Sequence, residues 1–262
     1  MRHHVFDAAM AQKALAPLIA LILLALGVGM AATNAATKRP PKSIVLGKTV
    51  NYPESGCPNA DRCQVIARVT GIQMHADGVQ EPFRAPSDGR VVAWWLRLPA
   101  LNKAQIKSFS DLFGGGPSAQ IAVLRRGKLG RARLVGESPA RPLDAYLGKK
   151  GRTRFRLDQP LRIKEGDYVG LTAVTWVPAF AVGLNGEENS WLASRPKARC
   201  NTPPSSERER FTAYYRQTDA HTAQSSVKPY RCNYKTARLL YWVRIVPDAP
   251  QQQTGGSPAP KP

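Results

Sequence analysis

Arg152, Arg154 and Arg156 stand two residues apart, interleaved with Thr153, Phe155 and Leu157. Successive side chains of an extended strand point to opposite faces, so this spacing sets three guanidinium groups on one side and the apolar residues on the other. Lys149 and Lys150 precede the run and extend its charge. Arginines held together this way can grip phosphate or carboxylate groups bidentately. The competing reading is a solvated outer sheet face without a ligand.

A second set of residues is aromatic. Trp176 and Trp191 flank the apolar run Phe180–Leu184, and Tyr214, Tyr215, Tyr230 and Tyr234 follow among arginines. Exposed rings stack on sugars or bases, which makes Trp191, Tyr214, Tyr215 and Tyr230 the candidate aromatic contacts. Tryptophan in a small domain is more often core. One of Trp176 and Trp191 is therefore expected to be buried, and the tyrosines are expected at the surface.

Residues for catalysis are scarce. His75 lies close to Asp77, which can orient it, and His221 stands further on, but no Gly-x-Ser-x-Gly elbow accompanies either. Glu165/Asp167 and Glu187-Glu188 fall in turns, and glycoside hydrolysis needs two carboxylates facing one bond. Asp77-Gly78 and Asp88-Gly89 read as tight turns, short of the six to eight oxygens calcium takes. No catalytic residue, metal site or cofactor is expected.

The cysteines are Cys57, Cys63, Cys200 and Cys232. An even count in an exported chain reads as two disulfides, for which three connectivities exist. Local pairing, Cys57–Cys63 with Cys200–Cys232, is favoured. Neither pair has the short C-x2–4-C spacing of a zinc site.

The elements that must position these residues are mostly strands. Val92, Trp94, Leu96 and Leu98 alternate, and Ile121–Leu124 has its hairpin partner in Ala132–Val135. Leu161 and Ile163 lead into the turn Lys164-Glu165-Gly166-Asp167, after which 168–176 reads as a more buried strand. Phe180–Leu184 and Leu239–Val246 complete the set. Asn102 to Phe113 departs from this period: Ile106, Phe109, Leu112 and Phe113 have helical spacing, with Asn102 and Gly114 as caps. The fold class is mostly β, an antiparallel sandwich or jelly roll with one short helix.

The amino-terminal segment points to export. Arg2 and Lys13 precede the apolar core Leu18–Leu26, and no charged residue appears from there until Lys38. Small residues follow, with a small-x-small site at Thr33-Asn34-Ala35, the layout of a cleaved signal peptide. An uncleaved anchor is the alternative, although a span needs about 20 apolar residues. Residues 1–35 are thus read as the signal, 36–56 as an exposed lead-in, 57–246 as the sandwich domain and 247–262 as a disordered tail. The chain carries a net charge of +20, and losing Arg2, Lys13 and Asp7 with the signal leaves +19.

Arg90-Val91-Val92-Ala93-Trp94, the segment Leu161–Leu171 with its Gly-Asp turn, and Thr175-Trp176-Val177-Pro178-Ala179 together carry a resemblance. On these residues the chain resembles a group of exported β-sandwich proteins of high-GC Gram-positive bacteria. The resemblance implies the fold and the export, over most of residues 57–246, and brings no activity with it.

These readings converge on a secreted or envelope-associated, non-catalytic module that meets an anionic cell-wall polymer or acidic polysaccharide. No specific nucleic-acid partner and no membrane span after processing are expected. A secreted hydrolase acting on polysaccharide and a wall-associated structural protein without a discrete ligand are the alternatives.

Overall fold

The computed structural model describes residues 42–56, 63–204 and 206–249. In chain order the elements are β1 (Ile44–Leu46), β2 (Ile66–Ala76), β3 (Val79–Gln80), β4 (Gly89–Leu98), α1 (Lys103–Phe113), β5 (Ser118–Arg126), β6 (Arg131–Glu137), β7 (Arg141–Pro142), β8 (Gly151–Ile163), β9 (Tyr168–Val177), β10 (Phe180–Val182), β11 (Ser190–Ala193), α2 (Arg208–Arg216), β12 (Val227–Pro229), β13 (Cys232–Lys235), β14 (Ala237–Leu239) and β15 (Tyr241–Pro247). Every pairing among them is antiparallel.

The result is an antiparallel β-sandwich. One sheet has the order β1-β15-β4-β8, and the larger sheet runs β12-β6-β5-β9-β2-β11-β13. Between them lies a continuous apolar core in which Trp94, Leu96 and Phe155 of the first sheet share a cluster with Ile121, Val123, Val169 and Leu171 of the second. The Tyr241 hydroxyl on β15 crosses this core and donates to the Val169 carbonyl on β9 at 2.8 Å. The far side of the larger sheet is apolar too. Ile72, Ala122, Leu124, Leu134 and Tyr168 form a second cluster there with Tyr230. Two covered faces explain why β5 and β9 read as nearly unbroken apolar runs.

Local chemistry sets several elements directly. Asn102 and Gln105 form a reciprocal capping box at the start of α1, and Gly114 ends it at φ 79°. Helix α1 packs Phe109 against Trp176 with ring centroids 5.1 Å apart. In the turn between β8 and β9, Gly166 adopts φ 81°, the left-handed region that glycine tolerates. Asp167 accepts from the Lys164 amide at 3.0 Å and receives both Nε and Nη2 of Arg125 at 2.8 and 2.9 Å.

Four expectations need correction. The alternation on β4 breaks at Val92, an extra residue opposite the Arg244–Ile245 step of β15, so that Val91 and Trp94 both enter the core while Val92 is half-exposed. Part of the lead-in is not exposed, because Ile44–Leu46 pairs with β15 and Leu46 is buried. A second helix, α2, stands beside the one expected. It occupies the polar excursion after Cys200 and packs Tyr215 edge-on against Phe113 of α1 at 4.9 Å. The expected tail also begins later, because Pro247 pairs with Gly89 at the end of β15 and the Asp248 amide donates to the Asp88 carbonyl at 3.0 Å. Residues 1–35, read as a signal, and residues 250–262 lie outside the described residues.

Candidate functional site

Strand β8 carries the three arginines outward. Arg152, Arg154 and Arg156 are exposed, Phe155 and Leu157 are buried, and Thr153 is half-buried. Pairing with β4 sets Arg97, Trp95 and Ala93 opposite Arg152, Arg154 and Arg156, and pairing with β15 sets Trp242 and Arg244 opposite Trp95 and Ala93. Residues opposite one another share a face, so Trp95, Trp242 and the arginines of three strands lie together on the outside of this sheet.

The guanidinium groups stack on the indoles. Arg152 lies 4.2 Å from the Trp242 ring and 6.0 Å from the Tyr52 ring, while Arg154 and Arg244 each stand 5.3 Å from Trp95. Trp242 is only 1% exposed although it faces outward. Arg152 and Tyr52, whose ring centroid lies 5.6 Å away, both stand over it. Long charged side chains cover apolar surface in this way while their heads stay hydrated.

Charge on the face is largely uncompensated. Glu54 is bonded to Arg97 at 2.6 Å and to Lys150 at 2.5 Å, and Asp158, exposed and in phase with Arg156 on β8, lies 3.9 Å from Arg141. The hydrogen bond from Lys150, with Arg97 beside it, holds the Glu54 carboxyl below its ordinary range. Among the described residues, Arg152, Arg154, Arg156 and Arg244 have no carboxylate partner. Partial desolvation and the neighbouring charges of Arg156 and Arg244 lower the Arg154 pKa. Beyond the β4 bulge, Arg90 and Arg162 face each other directly and are both exposed. Like charges set opposite one another are unfavourable for the sheet.

Comparison of the chain with protein-family models, curated proteins and solved structures finds no match.

Sequence reasoning reached Lys149, Lys150 and the β8 arginines but missed Arg90, Arg97, Arg162, Arg244 and both stacking tryptophans. Outward phase was readable for Arg97, one residue out of step with Leu96 and Leu98. The register that gathers these residues was not.

The aromatic candidates lie elsewhere. Trp176 and Trp191 are both buried, at 0% and 4% exposure, rather than one of them. Tyr230 is corrected as an exposed contact: it is enclosed in the second apolar cluster, with its hydroxyl 3.1 Å from His221 Nδ1. Tyr215 is also buried and lines a separate cleft with Trp191, while Tyr214 is half-buried and lies over Arg195 of that cleft.

The histidines have structural contacts. His75 Nδ1 lies 2.9 Å from Ser190 Oγ, a nucleophile–base distance. Ser190 is nevertheless buried, and Asp77, expected to orient His75, instead accepts both the amide and side-chain N–H groups of Asn51. Asp77 and Gly78, at φ 54° and 78°, make the tight turn between β2 and β3. No group of three metal-ligating side chains exists among the described residues. Cys200 and Cys232 form a disulfide with their Cα atoms 5.0 Å apart. The other expected pair involves Cys57, which lies outside the described residues.

Proposed function

We propose that the chain is an exported, non-catalytic binding module that holds an anionic envelope polymer against the outer face of its four-stranded sheet. The observation that carries this reading is a set of four arginines, Arg152, Arg154, Arg156 and Arg244, without carboxylate partners among the described residues, three of them stacked on Trp95 or Trp242. Stacking narrows the rotamers of a planar guanidinium, so less freedom is lost when it engages phosphate or carboxylate. A net charge of +20 adds long-range attraction for a polyanion. Export rests on the charge, apolar core and small residues of the first 35 positions, and the resemblance to exported sandwich proteins agrees with it. The test is co-sedimentation with isolated cell wall across a salt gradient. Saturable binding that weakens steeply with salt is expected, because screening beyond about 8 Å removes the attraction at physiological ionic strength. Binding insensitive to salt, or none, would overturn the reading.

A further inference from the structure

On the opposite side of the core from the arginine face, β11 leads into Arg195, and the chain then leaves on an excursion through α2. The Cys200–Cys232 disulfide returns the start of that excursion to β13. Tyr214 donates to the Arg199 carbonyl at 2.6 Å and Tyr234 to the Cys200 carbonyl at 2.8 Å, which fixes both rings beside Arg195. These elements, with the start of β2 and with β10, enclose a cleft of about 600 Å³. That volume lies within the range of small-molecule sites.

The walls are aromatic and the charge is positive. Phe180, Trp191, Tyr215 and Tyr234 line the cleft, and Phe180 meets Trp191 edge-on at 5.9 Å. Arg195 lines it too and is only 5% exposed. Its Nη2 donates to the Ala67 carbonyl at 3.1 Å, its Nη1 makes a long 3.4 Å contact with the Tyr234 hydroxyl, and its Nε has no acceptor among the described residues. Tyr214 and Tyr215 lie over the guanidinium at 5.3 and 5.6 Å. Trp191 Nε1 is a second buried donor without an acceptor among the described residues. None of the described residues lining the cleft is acidic, and Lys235 adds a further cation at its exposed rim. Burial pushes the Tyr215 and Tyr234 phenols up, so neither supplies a counter-charge near neutrality.

A buried guanidinium ordinarily has an anionic partner, because leaving the charge uncompensated is strongly unfavourable. We infer that the cleft binds a carboxylate carried on a six-membered ring, with Arg195 gripping the carboxylate and the aromatic walls stacking on the ring. A carboxylate suits the site better than phosphate. One buried positive charge balances one negative charge, whereas a phosphate monoester carries about −1.5 to −2 near neutrality. The remaining guanidinium N–H groups match two coplanar oxygens. The inference stands apart from the arginine face, since the two sites share no residue.

The probes are benzoate and glucuronate, their neutral amides, and inorganic phosphate, titrated into the purified protein by calorimetry. Benzoate stands for a free aryl acid and glucuronate for a sugar acid at the end of an acidic glycan. The stronger binder identifies the source, and either supports the site. Each acid is expected to bind at one site per chain and about tenfold or more tighter than its amide. Arg195→Met should abolish this binding, while the Arg152/Arg154/Arg156→Gln variant should retain it. Should Arg195→Met fail to fold, the Arg195 Nε–Hε resonance of the unaltered protein is followed instead, and it should shift on saturation with the acid. Equal binding of acid and amide, tighter binding of phosphate, retained binding in a folded Arg195→Met variant, or an unmoved Arg195 signal would each overturn the inference.

Discussion

The guanidinium of Arg152 lies 4.2 Å from the Trp242 ring, although 90 residues separate the two in the chain. Trp242 faces outward yet is only 1% exposed. The contact thus joins two roles: it shields an outward indole from water and holds a cation in one orientation on the face proposed to bind polyanions.

Replacing Arg152, Arg154 and Arg156 together by glutamine should weaken binding to cell wall and flatten its dependence on salt. All three point away from the core that Phe155 and Leu157 enter, so cooperative melting should persist. Co-sedimentation and a circular-dichroism melt on the same sample check both halves. Unchanged affinity in a folded variant would remove this face from the function.

Trp95→Ala removes no charge but takes away the ring beneath both Arg154 and Arg244. If pre-orientation contributes to binding, affinity should fall while the slope of binding against salt stays the same. Were charge alone responsible, neither quantity would move.

His221 is fully buried, with Nδ1 3.1 Å from the Tyr230 hydroxyl and Nε2 3.0 Å from Ser226 Oγ. Burial lowers its pKa, with Lys228 acting in the same direction and the Ser226 backbone opposing. In the unfolded chain imidazole titrates near about 6.5. Between the lower native value and about 6.5, the unfolded chain holds a proton that the folded one lacks, so stability rises with pH across that window. The contribution is therefore complete above about 6.5 and is lost as pH falls toward the native value. Urea midpoints taken from about pH 7.5 down to about pH 5 should decline in the unaltered protein and decline less in His221→Gln.

The Cys200–Cys232 bridge joins residues 32 apart in sequence. Loop-closure entropy puts its contribution at about 3–4 kcal/mol. The double variant Cys200→Ser/Cys232→Ser should lose stability of that order in denaturant titrations. It should also loosen Tyr214 and Tyr215 over Arg195, and increased hydrogen exchange confined to α2 would report that.

Much of the local architecture was legible in the residues. The outward phase of the β8 arginines, both caps of α1, the β5–β6 hairpin and the Gly166 turn each follow from sterics or hydrogen bonds within a few residues. Helix α2 was not legible: its N-cap Glu207 makes no side-chain capping bond. It is held in place by tertiary contacts such as Phe113 against Tyr215.

The sequence by itself determined that three arginines share one side of a strand, that the chain is strongly basic and that strands dominate. Only the tertiary structure decided what lies beneath those arginines. Trp95 and Trp242 come under them through the registers of β4 with β8 and of β15 with β4. The cleft around Arg195 likewise exists only after β2, β10, β11, β13 and α2 meet. The physical reason is range. Side-chain alternation is imposed by each residue's own backbone, whereas register is set by burial and turn geometry summed over strands far apart in the chain. A bulge such as Val92 opposite β15 shifts that sum by one residue and turns every side chain beyond it to the other face.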